Sequence, residues 1–316
     1  MKKSILVLMT AIFAVATLQA DAADKPPFKF SIEGMVLNRS NPGGNEIVTH
    51  ESTGAELFNT DEFQYGWEFN LRAAFQVDIT ENATVEAVYF GLGEWSDDAA
   101  LSSSSYDLSV LLDGANSGPS NAFDDANAFG METESELYSI ELNYLHTVHP
   151  SVRLLAGLRL VSINERASLT AQDTDLPSKA NYNVETENML AGGQIGVVVD
   201  HDLGHDIFIR GGAKLAGFWA HRQQDTYSQE DNYVIFRDEK SEDDGFAWLF
   251  EGEVLLGFRV TRHINVYGGY RVIYVSDVAS ATDHFVTPVE PTSGAASLEL
   301  SDILYHGPTL GAEVTF

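Results

Sequence analysis

The segment Tyr65–Ile79 alternates apolar and polar side chains for fifteen residues. Its apolar face carries Tyr65, Trp67, Phe69, Leu71, Ala73, Phe75, Val77 and Ile79, and its other face carries Glu68, Asn70, Arg72, Gln76 and Asp78. A period of two residues indicates a β-strand with one apolar side. Strands of soluble sheets usually run about 5–6 residues. A chain built from elements of this kind therefore folds as long strands that share one apolar surface.

Ten segments show the same alternation, and the connections between them are unequal. The segments are 28–39, 64–79, 84–95, 137–146, 152–164, 188–199, 206–220, 246–260, 264–276 and 303–316. Four connections are tight, at 80–83, 147–151, 200–205 and 261–263, whereas five are long, at 40–63, 96–136, 165–187, 221–245 and 277–302. Short and long connections alternate strictly. This order is typical of an all-β transmembrane antiparallel up-and-down β-barrel with short turns at one end and long loops at the other.

The predicted barrel has about ten strands, and an even number brings the last strand back beside the first. A short apolar run at Asp107–Leu112 raises the count to twelve if it adds a hairpin inside the second long loop. The alternative fold is a soluble β-sandwich, in which the alternating faces meet in one core. The sandwich accounts for the period but not for the strand length or the unequal loops.

Charged side chains fall on one face when the more apolar face of each segment is turned outward. Nine bases and nine acids then face the interior: Lys29, Arg39, Arg72, Arg153, Arg159, Arg210, Lys214, Arg259 and Arg271 with Glu33, Glu68, Asp78, Glu86, Glu94, Glu141, Glu251, Glu253 and Glu313. Aromatic girdles mark both edges of the apolar band in barrels of this kind. The expected outer girdle contains Trp67, Trp95, Trp219 and Trp248, and the expected inner girdle contains Phe28, Phe75, Tyr144, Phe258 and Phe316.

The first 22 residues have the pattern of a secretory signal. Lys2 and Lys3 precede the apolar stretch Ile5–Leu18, and Ala20–Ala22 provides a small-residue cleavage site. We therefore expect a signal peptide at 1–22 and a barrel at 23–316 located in a bacterial outer membrane. The chain contains no cysteine, which excludes disulfides and lipid attachment through an N-terminal cysteine.

The net charge of −29 makes nucleic acid an improbable partner, because such binding requires clustered Lys and Arg. The five predicted outer loops carry 32 acids and only 5 bases. Acidic runs such as Asp97-Asp98, Asp124-Asp125 and Glu242–Asp244 have the oxygen ligands that calcium and magnesium prefer. None of them has the twelve-residue calcium-loop spacing, and a solvated repelling surface is the simpler interpretation. No cofactor is expected, and binding of divalent cations at the acidic loops is kept as an alternative.

Two functions of the interior follow from its charges. Barrels of eight strands are filled by their own side chains, whereas barrels of 16–18 strands leave a channel. Pairing of the interior charges would give a largely plugged lumen and a structural or surface role. Incomplete pairing would give a narrow porin for small solutes, lined by Arg72, Arg153, Arg159, Arg210, Arg259 and Arg271 facing Glu68, Glu141, Glu251 and Glu253.

An outer-membrane hydrolase is a third alternative. His50, His221 and Asp283-His284 are its candidates in the long loops. The sequence has no Gly-x-Ser-x-Gly elbow, no phosphate-binding glycine loop and no His-Glu-x-x-His helix, so no enzyme is predicted. Outer-membrane lipid is the expected partner, and the oligomeric state is left open.

Five short phrases carry a resemblance to a known family. They are Glu86–Ser96, Glu141–Tyr144, Leu155–Arg159 running on to Glu165, Asn188–Gly196 and Gly269–Tyr274. The chain resembles a family of outer-membrane β-barrel proteins of uncharacterised function, best represented in planctomycete-type bacteria. It is more distantly similar to the major outer-membrane protein of Legionella-like bacteria. The resemblance implies a barrel in the outer membrane and brings no catalytic residues.

Overall fold

A computed structural model describes residues 28–50, 52–104, 108–110, 126–173, 178–230, 234–284 and 298–316. The predicted signal peptide and the acidic pair Asp124-Asp125 lie outside the described residues. The strands are β1 Phe28–Arg39, β2 Glu46–His50, β3 Glu56–Asn59, β4 Trp67–Thr80, β5 Ala83–Gly91, β6 Glu94–Ser102, β7 Leu108–Val110, β8 Ala128–His149, β9 Val152–Asp173, β10 Ser178–Gly204, β11 Ile207–Glu230, β12 Val234–Arg259, β13 Ile264–Ala279 and β14 Leu300–Thr315.

Eleven of these strands form a closed antiparallel ring with ten wall positions. Each strand pairs with its neighbour in sequence, β1 pairs with both β4 and β14, and β5 and β6 pair in turn with β8 as one interrupted strand. The four tight turns fall where they were predicted, between β4 and β5, β8 and β9, β10 and β11, and β12 and β13. The ten-stranded up-and-down barrel is confirmed. Among the described residues, no helix is long and apolar enough to cross a membrane.

A β-bulge between β5 and β6 reverses the faces of the wall. Phe90 pairs with Ser139 while Glu94 pairs with Glu136, so four steps along one strand oppose three along the other. Gly91 has a φ of 153°, which favours glycine, and a Cβ there would lie 2.6 Å from a Tyr138 ring carbon. An inserted residue shifts all later side chains to the opposite face.

The bulge corrects the prediction for Trp95. Its side chain is fully buried inside the ring instead of lying on the outer girdle. Its indole N–H donates to the Leu37 carbonyl at 2.9 Å, and its ring lies 5.0 Å from that of Tyr305. Glu94, which was expected inside, is exposed for the same reason. Alternation carried unbroken across Gly91–Gly93 therefore gave the wrong face to Glu94 and Trp95, the residues of segment 84–95 that follow the bulge.

Two of the five predicted long loops are mostly strand. β9 and β10 remain paired up to Asp173 and Ser178, and β11 and β12 up to Glu230 and Val234. Strands β8–β12 therefore continue past the other strands as a raised wall at the long-loop end. On β11 the upper part is polar on both faces, so the apolar period disappears there while the backbone hydrogen bonds continue. The upper parts of β8–β10 keep buried apolar residues on the inner face, among them Met131, Leu169 and Val184.

The first long loop folds against the inner face of this raised wall. β2, β3 and β7 form a separate three-stranded sheet, with a 3₁₀ turn at Thr60–Glu62 after β3. Of the predicted extra hairpin at Asp107–Leu112 only Leu108–Val110 is described. It forms β7, which pairs with β2 in the separate sheet and adds no strand to the ring. Ile47, Val48, Phe58 and Phe63 pack with Phe129, Met131, Leu169, Tyr182 and Val184 of β8–β10 in one buried cluster.

The end of β13 leaves the wall and turns across the opening. Its pairing with β12 ends at Val275, opposite Leu249. A register shift separates Val275 from Val278 in the pairing with β14, and Asp277 has a left-handed φ of 55°. Beyond this bend the chain contacts β10 on the other side of the ring, since Ala279 is hydrogen-bonded to Asn188.

Candidate functional site

The interior of the barrel is crossed by a network of ion pairs centred on Arg271 of β13. Its guanidinium contacts Glu33 of β1 at 2.9 Å and also contacts Glu251 and Glu253 of β12. The side chains of Arg271, Glu33 and Glu251 are at most 5% exposed. Burying such charges is costly unless each one is paired, so the groups hold one another in place.

The network continues to the opposite wall through a second arginine and a lysine. Arg159 of β9 lies 2.7 Å from Glu251 and 3.5 Å from Glu141 of β8. Lys214 of β11 lies 2.9 Å from Glu141 and 3.4 Å from Glu251. Each carboxylate of this group is therefore shared between at least two cations.

Further polar groups link the remaining strands to the same network. Arg72 of β4 lies 2.8 Å from Glu33, and Thr309 of β14 donates to Glu33 at 3.4 Å. Asn143 of β8 donates to Glu86 of β5 and to Glu141, each at 3.0 Å, and Gln194 of β10 donates to Glu141 at 2.8 Å. All ten wall positions thus contribute a side chain to one connected set, which we call the charge network. It comprises Glu33, Arg72, Glu86, Glu141, Asn143, Arg159, Gln194, Lys214, Glu251, Glu253, Arg271 and Thr309.

The structure places six of the ten predicted lumen residues in the charge network: Arg72, Arg159, Arg271, Glu141, Glu251 and Glu253. Arg153, Arg210 and Arg259 form a separate group near the short turns, where Arg153 and Arg210 pair with Asp200 at 2.8 and 2.6 Å, and Arg259 pairs with Asp202 at 2.8 Å. Glu68 pairs with no cation of the described residues.

Neutral residues of the network were missed by the sequence analysis. Asn143 lies between the carboxylates of Glu86 and Glu141, and Gln194 donates to Glu141 and to the Asn143 amide oxygen at 2.6 Å. Beside them, Tyr267 donates to Glu33 at 3.1 Å. Glu33 and Lys214 were predicted to face inward, but nothing in the sequence placed them at the same level along the barrel axis as Arg271. Strand register determines that height, and alternation alone does not provide it.

An apolar layer fills the ring between the charge network and the long-loop end. It consists of Met35, Leu37, Tyr65, Phe90, Trp95, Leu137, Val161, Ile163, Leu190, Ala216, Phe218, Ala220, Ala247, Leu249, Ile273, Val275, Val278, Ile303 and Tyr305. Nearly all of these side chains are less than 4% exposed. The interior thus contains two layers of different chemistry, one ionic and one apolar.

Three of the four tryptophans predicted for the outer girdle lie on the outer surface. Trp67, Trp219 and Trp248 are 52, 65 and 38% exposed. The ring of Trp248 lies tilted against that of Tyr274, with 4.9 Å between the ring centroids. At the other edge of the band, Phe316 stacks on Phe28 at 4.7 Å, and Phe28 lies 6.0 Å from Phe75. The two edges of the apolar surface are therefore aromatic.

The candidate groups for metal binding or hydrolysis are dispersed. His221 contacts Asp244 at 2.8 Å on the outer surface, His284 is buried inside the mouth, and His50 belongs to the separate β2 sheet. Asp243 pairs with Arg222 at 2.9 Å. Within the described ranges no group of three or more His, Cys, Asp or Glu residues is arranged to hold a metal ion.

Comparisons with known proteins establish the fold class. No protein-family model and no curated protein sequence matches the chain. The crystal structure of the outer membrane protease OmpT from Escherichia coli aligns with a TM-score of 0.52 and 12% identity, over 94% of this chain and 99% of that one. A major outer membrane protein from Thermus thermophilus aligns over 92% of this chain and 99% of that one, with a TM-score of 0.36 and 13% identity. The chain has the fold of a bacterial outer-membrane β-barrel, and at these identities the likeness extends to the fold alone.

Proposed function

We propose that this protein is an outer-membrane barrel with a closed interior and a structural or surface-presenting role. The uncharged outer band between two aromatic edges supports a position across a lipid bilayer. The predicted signal peptide supports export to that compartment. The raised wall β8–β12, about 35 Å from Trp219 to Glu230 at the usual rise per residue, would then project from the cell surface.

The observation that carries the proposal is the charge network to which every wall position contributes. A solute crossing the ring has to separate Arg271 from Glu33 and Glu251, or Arg159 from Glu251. Separating a buried ion pair leaves an uncompensated charge and costs several kcal/mol, roughly 3–5. Several such pairs must open together, which makes steady permeation improbable.

The apolar layer adds a second barrier of a different kind. Ions that passed the charge network would next meet Phe90, Trp95 and Phe218, which offer no hydrogen bonds in place of water. The narrow-porin alternative requires a continuous polar path, and this layer separates the charge network from the buried polar groups nearer the long-loop end, such as Arg39, Glu165 and Asn188.

Recording from planar bilayers tests the closed interior. We expect no steady single-channel conductance from the purified protein. A variant with Arg271→Ala, Glu251→Ala and Glu33→Ala would show whether emptying the charge network changes the record, and Arg259→Ala, near the short turns, is its matched control. Regular conductance steps from the unmodified protein would reject the closed interior and establish the porin.

Cell fractionation tests the location separately. We expect the mature chain in the outer-membrane fraction, with a gel mobility that differs between boiled and unboiled samples. Recovery in a soluble fraction would reject the membrane assignment whatever the bilayer recordings show.

A further inference from the structure

The segment Ser276–His284, here called the mouth segment, lies across the long-loop end of the barrel and is held from the opposite wall. Asn188 of β10 donates to the Ala279 carbonyl at 2.9 Å and accepts from the Ala279 N–H at 2.8 Å. Arg222 of β11 donates to the Asp277 carbonyl at 2.8 Å. Both anchoring side chains are at most 1% exposed. The segment is therefore fastened to two strands that are not its neighbours in the wall.

A buried carboxylate provides a third anchor. Glu165 of β9 accepts from the Ser280 hydroxyl at 2.8 Å and from the Ala281 N–H at 3.2 Å. It also accepts from Ser135 at 3.0 Å and pairs with Arg39 of β1. Because Arg39 balances its charge, Glu165 can bind the mouth segment inside the ring.

His284 ends the mouth segment and is fully buried. Its Nδ1 lies 2.6 Å from the Ser280 carbonyl, which can only accept, and its Nε2 lies 3.0 Å from the backbone N–H of Glu299, which can only donate. This pair of contacts requires a neutral imidazole with its proton on Nδ1. A second proton on Nε2 would oppose the Glu299 N–H and break that contact.

We propose that the mouth segment is an acid-released lid, in which protonation of His284 frees Ser276–His284 from the barrel opening. The hinge is the bulge at Ser276 and Asp277, where the backbone turns out of the wall through a left-handed residue. The charged groups that face His284 are Asp283 beside it, Glu299 before β14 and Glu165 of β9, with Arg39 of β1 paired to Glu165.

The direction of the response follows from burial. Desolvation lowers the pKa of His284 below its ordinary value, and this effect exceeds the opposite influence of the Ser280 carbonyl and the neighbouring acids. A released His284 regains its ordinary pKa near 6.5. The closed lid therefore keeps its full stability above about pH 6.5 and loses it as the pH falls toward the lowered pKa.

Release of the lid would uncover apolar surface without emptying the charge network. Val278 lies on the mouth segment, and Val275 and Ile303 lie next to it on β13 and β14; all three belong to the apolar layer. Arg271 precedes the hinge on β13 and stays in the charge network. The barrel would remain closed to ions in both states. The outcome for the lid is therefore independent of the proposed closed interior.

Single-cysteine labelling tests the lid cleanly, because the chain has no cysteine of its own. Ala220→Cys places a thiol in the buried apolar layer, and Ala55→Cys places a reference thiol on an exposed loop. The two proteins are reconstituted in nanodiscs and treated with a membrane-impermeant maleimide between pH 7.5 and 5. Relative to the reference, the rate at Ala220→Cys should rise by up to roughly tenfold for each pH unit below 6.5.

Two further variants separate the lid from general acid sensitivity. With His284→Gln added, whose amide can donate to Ser280 and accept from Glu299, the relative rate should no longer rise as the pH falls. With Asn188→Ala added, the relative rate should already be high at pH 7.5. An unchanged acid response in His284→Gln, or no acid response in the Ala220→Cys protein, would overturn the proposal. Unboiled gel mobility at pH 5 checks that the barrel stays folded.

Discussion

Arg271 and Glu33 are 238 residues apart in the sequence, yet their side chains meet at 2.9 Å inside the barrel. Arg271 stands on β13 and Glu33 on β1, with β14 between them. The contact therefore joins the first strand of the barrel to β13 across β14, the strand that closes the ring. Since Glu251 shares the same guanidinium, Arg271 connects the closure of the ring to the opposite half of the interior.

Replacing Arg271 should destabilise the barrel strongly. Arg271→Ala leaves Glu33, Glu251 and Glu253 with one cation fewer in a buried setting, and removing one partner of a buried pair costs roughly 3–5 kcal/mol. Arg259→Ala removes a pair whose arginine is 40% exposed and should cost only about 0–1 kcal/mol. Urea unfolding in detergent micelles measures both. Equal losses of unfolding free energy in the two variants would show that the charge network stabilises the barrel no more than an exposed ion pair does.

The four tryptophans should differ in their contact with lipid. In proteins that retain a single tryptophan, lipids brominated on their acyl chains should quench Trp219 and Trp67 strongly and leave Trp95 nearly unaffected. The reason is that Trp95 is fully buried in the ring while Trp219 is 65% exposed on the outer surface. Strong quenching of Trp95 would place its side chain on the lipid-facing surface, as continuous alternation predicts, and would contradict the bulge at Gly91.

His221 should titrate above the ordinary range of histidine. Its hydrogen bond to the Asp244 carboxylate raises the pKa of His221, and both side chains lie outside the apolar band. The pairing is therefore complete below the ordinary pKa near 6.5 and is lost as the pH rises through the raised value. NMR titration of the imidazole should show a lower pKa in Asp244→Asn. A pKa unaltered by that change would exclude Asp244 as the cause.

The sequence was sufficient for the architecture because lipid-facing alternation is a local property. The period at Tyr65–Ile79 required no knowledge of the partner strand, and the alternation of tight and long connections determined the strand order. Trp95 was placed on the wrong face because one inserted residue at Gly91–Gly93 changes the phase without altering the composition. Gly91 itself was the available signal, since an isolated glycine inside a strand pattern often marks a bulge.

The charge network was only half predictable, and the reason is register. Which charges face inward follows from alternation, but which of them meet depends on the stagger between neighbouring strands. Arg159 meets Glu251 from 92 residues away, whereas Arg210 lies at a different height and pairs with Asp200. The raised wall was missed for a different reason. On β11 both faces become polar beyond the apolar band, so Thr226 and Asp225 carry no period although the strand continues through them.

Shortening the β11–β12 hairpin should leave the barrel intact. Gln224 and Ser241 are paired across the two strands, so the residues between them can be replaced by a short Asn-Gly turn at that level. None of the described residues in the removed part belongs to the charge network or to the apolar layer, and the barrel side of the cluster beneath the first long loop is built from β8–β10. We expect an unchanged difference in mobility between boiled and unboiled samples and an unfolding midpoint close to that of the full chain. A matched removal from the β9–β10 hairpin replaces the residues between the paired Ser168 and Asn183 by the same turn. It takes Leu169, Ala171, Ala180 and Tyr182 out of that cluster and should lower the midpoint. If the two deletions had the same effect, the raised wall would have to act as one cooperative unit with the barrel.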